Sequence, residues 1–563
     1  MRSTFMGLET SKRGIFTQQS ALYTTGHNIA NANTVGYSRQ RVNMEPTLGY
    51  PGMGLNAPKT PGFIGTGVKA GSVQRIRDEF IDRQYRQETN KLGYWESKAK
   101  AIAQMEDIMS EPSEYGLDEA FRMFWSALQD VSANPEDTAA RKVAIQRAVH
   151  LADSFNYIDT QLKQIQGNLG NEINVSVKQI NSILQQIADI NRQIQAVEPN
   201  GYVPNDLYDK RDLLVDELNE YIPVSIQRVP SGGNASDVAE GSYKITLNSE
   251  LKDVDGKPLQ IVLVDGRNFA TLEAIDMNGN NVDGDEDAGN PNIAYSPFDK
   301  LVVNTIGGGT QDLKLKQTDF QEFKGKLLSL IDSYGYSTND TNNPIGGYYP
   351  NMLSELDKLA KAFVESFNKI HEAGYTLGDS DDPDTSLTGK PFFEEKNLTA
   401  GTIKVKDEII AEPNLLAASD TQGEEGNGKW ALVLANLQSM PIIDEHTVGT
   451  VQTGVDGDGN PILEPVDLPN NLNMDGATFQ SFYQGLIGQL GIDGQKANQL
   501  KTNSETIRLT VENNRASMSS VSLDEEMTDM IRFQQAYNAN ARMITVIDET
   551  LDKIINGMGR VGL

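Results

Sequence analysis

Between Leu151 and Val197 the apolar residues advance in steps of three and four: Leu151, Phe155, Ile158, Leu162, Ile165, Leu169, Ile173, Val177, Ile180, Leu184, Ile187, Ile194 and Val197. That is the period of one face of a helix. Upstream, Asn134-Pro135-Glu136-Asp137 reads as the start of this helix, with Asn134 as N-cap, Pro135 in the first turn and two acids facing the dipole. Pro199-Asn200-Gly201 reads as its end. At 1.5 Å per residue, about sixty helical residues reach ~90 Å. Gly167 and Gly170 are the places where two helices would part instead of one. Either arrangement is a rod, and a chain built on a rod is a scaffold before it is anything else.

The two ends of the chain carry a second pattern. Leu523, Met527, Met530, Tyr537, Ala541, Ile544, Leu551, Ile555 and Met558 form a heptad-like seam interrupted by Gln534 and Asp548. Phe5, Leu8, Ile15, Leu22 and Ile29 fall on the same kind of seam in the first thirty residues. A large apolar side chain left in water forgoes ~1.5–3 kcal/mol, so both stripes need cover. One way is a compact bundle within the chain. The other is pairing of the two ends inside an assembly, in which case they are expected to be mobile in the free monomer. Residues 1–77 carry nine bases against two acids, and residues 521–563 seven acids against four bases, so the ends are expected to attract each other.

The remaining chain alternates helical and β character. Helices are expected over about 78–110, from Leu117, over 205–222 on Leu207, Leu213, Leu214, Leu218 and Ile222, over 320–333 and 350–371, and from 476 onward. Val224 to about Gln317 holds short β runs such as Tyr243–Leu247 and Leu259–Val264 between Gly, Asn and Asp turns. The expected fold class is multi-domain α+β. A long-helix bundle of 76–223, continued by 318–375 and 476–520, carries a β-rich lobe at 224–317 and a second mixed lobe at 376–475. Residues 1–75 form an axial helix and arm, pairing with the axial helix 521–563.

Composition removes several classes of function. There is no cysteine among 563 residues, so disulfides, thiolate metal sites and a cysteine nucleophile are out. The net charge of −29 argues against a nucleic-acid surface. No stretch approaches the eighteen or so apolar residues of a membrane span, and the amino end lacks the apolar core of a secretory signal. Asp276–Asn280 and Asp456–Asn460 begin like calcium loops, but the sixth and twelfth positions hold Asn281 and Asp287 in one and Pro461 and Asp467 in the other. His27, His150, His371 and His446 lie far apart without ligand spacing. No catalytic residue, metal ligand or cofactor site is expected.

The turn after the first helix contains Asn28-Ile29-Ala30-Asn31-Ala32-Asn33-Thr34-Val35-Gly36-Tyr37-Ser38-Arg39-Gln40. This run resembles the signature of the bacterial flagellar axial family, the rod, hook and hook-associated proteins, with His27 where many members carry Asn. The ending SLDEEMTDMIRFQQAYNANARMITVIDETLDKII resembles that family's carboxy-terminal segment. The segments Asn205–Asp212, Leu356–Ala360, Phe367–Tyr375 and Pro391-Phe392-Phe393 are similar to its hook-associated protein 1 branch. The resemblance implies a structural subunit of the hook–filament junction, polymerising as a ring or tube. Its terminal helices would form an inner layer, the helical body a second layer, and the β-rich lobes the outside. It implies export through the flagellar channel, hook protein and the next hook-associated protein as neighbours, and a cytoplasmic export chaperone covering the carboxy-terminal helix around Met527, Met530, Ile544 and Leu551. A hook or rod protein of the same family, or a secreted adhesin or hydrolase acting through residues 224–470, are the alternatives.

Overall fold

The computed structural model describes residues 5–50, 64–109, 116–247, 261–282, 295–313, 324–338, 344–377 and 388–557, apart from Gly457 and Gly459. The chain begins with helix α1 (Phe5–Ala30), the hairpin β1 (Gln40–Pro46) and β2 (Val68–Arg75), and helices α2 (Glu79–Met109), α3 (Leu117–Ala133), α4 (Thr138–Val197) and α5 (Asn205–Tyr221). Strands β3 (Val224–Val229), β4 (Ser242–Leu247), β5 (Val262–Asp265) and β6 (Asn268–Phe269) form one antiparallel sheet. In a second sheet β8 (Phe298–Thr305) is central, flanked by β7 (Thr271–Asp276), β9 (Gly309–Leu313) and the short β10 (Tyr336–Ser337), which pairs with β11 (Ile345–Gly346). Helices α6 (Lys326–Tyr334) and α7 (Tyr348–Ala373) interleave with the second sheet. Then come α8 (Asp407–Ala411), α9 (Lys429–Asn436), the hairpin β12 (Thr447–Val455) with β13 (Pro461–Asp467), α10 (Phe479–Ser519) and α11 (Leu523–Gly557).

The spine is α4, one unbroken helix of 60 residues. Gly167 does not interrupt it. A Cβ there would lie 2.3 Å from the Tyr295 hydroxyl, so this glycine admits a neighbour rather than ending a helix. The start differs from the sequence expectation. Asn134 closes α3, its N–H donating to Asp130 O at 3.1 Å, and the cap of α4 is Asp137, whose carboxylate accepts the Ala139 N–H at 2.8 Å. The reason is the turn Asn134–Asp137, closed by Asp137 N–H to Asn134 O at 3.1 Å, which sets the aspartate rather than the asparagine opposite the first free amides.

A continuous apolar core follows α4. Along its first half the aromatics of α3 and α7 meet edge to face, Phe121 on Phe363 at 5.3 Å, with Phe393 5.3 Å from Phe363 on another side. Along its second half two asparagines fasten the sheets. Asn181 exchanges hydrogen bonds with the Leu272 main chain (2.9 and 2.8 Å), and Asn191 does the same with Tyr243 (both 3.1 Å). These polar positions in an apolar stripe fix strand register against the rod. Finally α10 lies antiparallel on α2, burying Tyr483, Leu490, Ala497, Ser504 and Val511 at every seventh residue. The architecture is the expected α+β one, a long-helix core closed by segments from both ends of the chain with β-rich insertions.

Candidate assembly interface

The helices α1 and α11 pack against each other antiparallel. A Cβ on Gly7 would lie 3.2 Å from Ile547, one on Gly14 would lie 2.8 Å from Asn540, and Asn28 bonds Glu526 at 3.1 Å, so the register runs evenly along the pair. The line of α1 that is buried is made of small residues: Ser11, Gly14, Thr17, Ala21, Thr25 and Asn28. Leu8, Ile15, Leu22 and Ile29 sit one residue further round and are half-buried, and Phe5 is exposed. On α11 the half-buried line is Met530, Phe533, Tyr537, Asn540, Ala541, Ile544, Ile547 and Leu551. Leu523, Met527 and Ile555 point to solvent, and Met558 lies outside the described residues. Gln534 and Asp548 are exposed, so they do not interrupt the contact line, which passes through Phe533 and Ile547. Sequence reasoning took the largest apolar side chains as the seam. The closest approach belongs instead to the smallest, because only they let two helix backbones come together.

The residues of the axial motif form the turn that ends α1. Asn28 pairs with the main chain of Gln40, its Nδ2 donating to the carbonyl (2.8 Å) and its Oδ1 accepting the N–H (3.0 Å). The turn is closed by Asn31, whose Nδ2 donates to His27 O (3.0 Å), and by Thr34, whose N–H donates to Asn31 O (2.9 Å). Gly36 takes a φ of +79° against Leu213 of α5, a conformation and a proximity that suit glycine. Ile29 is half-buried, and Ala30 and Asn33 are exposed. The Tyr37 hydroxyl donates to Asn28 Oδ1 at 2.8 Å. Arg39 then bridges the ends of the chain, with Nε 2.6 Å from Glu526, Nη1 2.5 Å from Glu525 and Nη2 3.8 Å from Asp529.

The attraction between the ends is narrower than the charge count implies. Arg39 is the base of residues 1–77 that meets α11 in an ion pair among the described residues, while Arg75 and Arg77 turn to α5. There a charged face is buried beside the expected apolar one: Leu218 and Ile222 are buried, but so are Asp209, Arg211, Asp212 and Asp216, and Leu213 is exposed. Arg75 contacts Asp209 (2.7 Å), Asp212 (2.9 Å) and Glu240 (2.6 Å); Arg77 contacts Asp82 (2.8 Å) and Asp212 (3.0 Å). Arg86 reaches Asp216 (2.6 Å), and Arg515 reaches Asp82 (3.0 Å) and Asp216 (2.8 Å). Burial works to raise the Asp212 carboxyl, but the guanidinium groups of Arg77, Arg75, Arg86 and Arg211 overcome it and hold it well below the usual carboxylate range. This knot ties the arm β1–β2, α2, α5 and α10 into one joint. Its signal in the sequence was the charge density of Asn205–Asp212, which reads equally as a solvated helix face.

Outside the pair, α1 and α11 remain apolar. Phe16 and Tyr23 on α1, and Met527, Ile531, Met543 and Val546 on α11, are each more than half exposed. A cleft of about 550 Å³ opens between the pair and β1, lined among others by Arg39, Arg41, Asp529, Arg532 and Phe533. Among the described residues no three His, Asp or Glu side chains are placed to hold a metal. Asp276 and Asp456 instead accept backbone amides of their own turns, at 2.8 Å from Asn280 and Asn460, and Asp287 lies outside the described residues. No described helix is long and apolar enough to cross a membrane.

A joint built from both chain ends, carrying apolar side chains outward, is the arrangement of a structural subunit of the axial type. Comparison with known proteins agrees. Residues 8–37 match the family model described as flagella basal body rod protein, 513–557 the flagellar basal body rod FlgEFG protein C-terminal, and 102–393 the flagellar hook-associated protein FlgK helical domain. The chain is 41% identical over 560 residues to flagellar hook-associated protein 1 of Bacillus subtilis (strain 168), covering 99% of each. It is 26% identical over 601 residues to that of Escherichia coli (strain K12), covering 98% of this chain and 99% of the other. A solved structure, the flagellar hook junction protein FlgK from Burkholderia pseudomallei, aligns over 78% of this chain and 100% of its own at 14% identity with a TM-score of 0.47. The chain belongs to the flagellar hook-associated protein 1 family, and it is a structural component of the bacterial flagellum.

Proposed function

We propose that this chain is a non-enzymatic subunit that polymerises through α1 and α11 at the junction between hook and filament. The observation that carries this is the outward apolar face of the terminal pair. Met527 and Ile531 lie one helical turn apart and more than half exposed, on a helix of which only Glu526 is buried among the described residues. Such a face marks a contact surface. In the tube, the terminal pair forms the inner layer and the helical body the next. The β-rich segment 224–317 and the mixed segment 376–475 face outward. The hook protein and the next hook-associated protein are its axial neighbours. Before assembly, a cytoplasmic export chaperone covers α11, and the chain leaves the cell through the flagellar channel.

The double variant M527E/I531E tests this, because it changes the outward face without touching the line that meets α1. Thermal unfolding is expected to match the parent, while labelling of isolated hooks shows no variant at their tips and filaments fail to attach. Normal incorporation at the tips overturns the proposal.

A further inference from the structure

The turn that ends α1 contains a hydrogen-bond chain whose direction follows atom by atom. Asn28 is oriented by the Gln40 main chain, which accepts from its Nδ2 and donates to its Oδ1. Oδ1 can only accept, so the Tyr37 hydroxyl at 2.8 Å donates to it. Burial, followed by the carboxylates of Asp206, Asp209 and Glu526, pushes this phenol up, so it keeps the proton it donates. Tyr37 Oη therefore accepts from the next atom in the chain, His27 Nδ1 at 3.0 Å, and that nitrogen carries hydrogen.

The other ring nitrogen, Nε2, faces Asp206 Oδ2 at 3.7 Å. A neutral ring with its hydrogen on Nδ1 turns a lone pair toward this carboxylate. Only the imidazolium donates from both nitrogens into the acceptors around it. Carboxylates reach this turn from two other helices. Asp206 and Asp209 come from α5 and Glu526 from α11, while the nearby guanidinium groups of Arg39 and Arg75 are engaged by Glu525 and Glu526, and by Asp209, Asp212 and Glu240. Tyr23, Thr24, Ala30 and Asn31, three and four residues away in the chain, bring no cation.

We propose that His27 is a proton-operated pin between the axial turn and α5, in which protonation adds an Nε2–H bond to Asp206 and tightens the docking of the terminal arm on the helical body. The inference concerns docking within one chain and does not depend on where the subunit sits in the flagellum. The side chains of His27 and Asp206 are 39% and 60% exposed, so the gain is that of a solvated ion pair, about 1.5- to fivefold in the docking equilibrium.

The test uses the full chain with ¹⁵N-labelled histidine. At pH 8 the His27 ring is expected to be the Nδ1–H tautomer by two-dimensional NMR; an Nε2–H ring overturns the proposal without any variant. Amide exchange of residues 28–40, corrected for intrinsic rates and referenced to α4, is then compared at pH 8 and pH 5.5, the span over which imidazoles change charge. Protection is expected to rise about 1.5- to fivefold in the parent and to stay level in H27N and D206N; the asparagine at 206 still offers an oxygen to Gln40 Nε2, which bonds Asp206 Oδ1 at 3.0 Å. The same rise in either variant overturns it.

Discussion

Asp212 is fully enclosed by arginines drawn from the arm, α2 and its own helix, and so it is the residue whose loss is felt furthest. Paired charges this deep add little over an apolar substitute, yet removing one partner leaves the others uncompensated. D212A is expected to cost ~3–5 kcal/mol, read as a lower urea midpoint, and to loosen β2 from α5 in amide exchange. His371 gives stability a pH dependence of its own. It is buried between the Lys390 carbonyl, which Nδ1 meets at 2.6 Å, and the Ala417 N–H, which donates to Nε2 at 2.9 Å. Burial first, with Arg141 and Lys406 adding to it against the Lys390 bond, pushes this imidazole down to about 4. The unfolded chain takes up a proton near the ordinary value of about 6.5 and the folded chain does not. Stability is therefore complete above that value and is lost as pH falls toward 4, by up to roughly 3 kcal/mol at 1.36 kcal/mol per unit. H371Q, compared with the parent by urea unfolding at pH 7 and pH 5, is expected to show the smaller drop. Neither role was visible in the sequence: Asp212 stood there only as the end of the family-like segment Asn205–Asp212, and His371 as a histidine without ligand spacing.

Among the elements, the terminal pair shows how much a periodic pattern conveys and where it stops. Steps of three and four gave both helices, but a helix has several faces and the pattern does not say which one meets a partner at short range. On α1 that face is Ser11, Gly14, Thr17, Ala21, Thr25 and Asn28. G14L is expected to push α11 away, because even a Cβ would collide with Asn540. Amide protection of residues 530–547 should fall while that of α4 stays unchanged. In the parent at low concentration, α11 is expected to exchange far faster than α4, since it buries so little of its own surface. Protection of α11 equal to that of α4 would favour a chain that closes on itself without an assembly. The spine α4 was legible for a different reason. Its stripe is wide and its neighbours lie on one side, so period alone located it, whereas its cap depended on the shape of a four-residue turn.

For the whole molecule, the core runs along α4 and does not pass through the terminal pair, whose helices contribute none of its large apolar side chains. A chain trimmed to residues 76–520 is therefore expected to fold with a thermal midpoint close to the parent's and to lose its place on the hook; failure to fold would show that the knot around Asp212 needs β1–β2 to be stable. By itself the sequence determined the rod, the α+β composition, the two apolar ends and the axial family, because period, turn chemistry and local motifs are properties of neighbours in the chain. Only the tertiary structure decided that small residues form the contact of the ends, that α5 buries a charged face beside Leu218, and that Asn28 answers to Glu526. Those facts rest on atoms brought together from opposite ends of the chain. What a side chain meets across such a distance sets whether its charge is neutralised and its surface covered, and no local pattern records it.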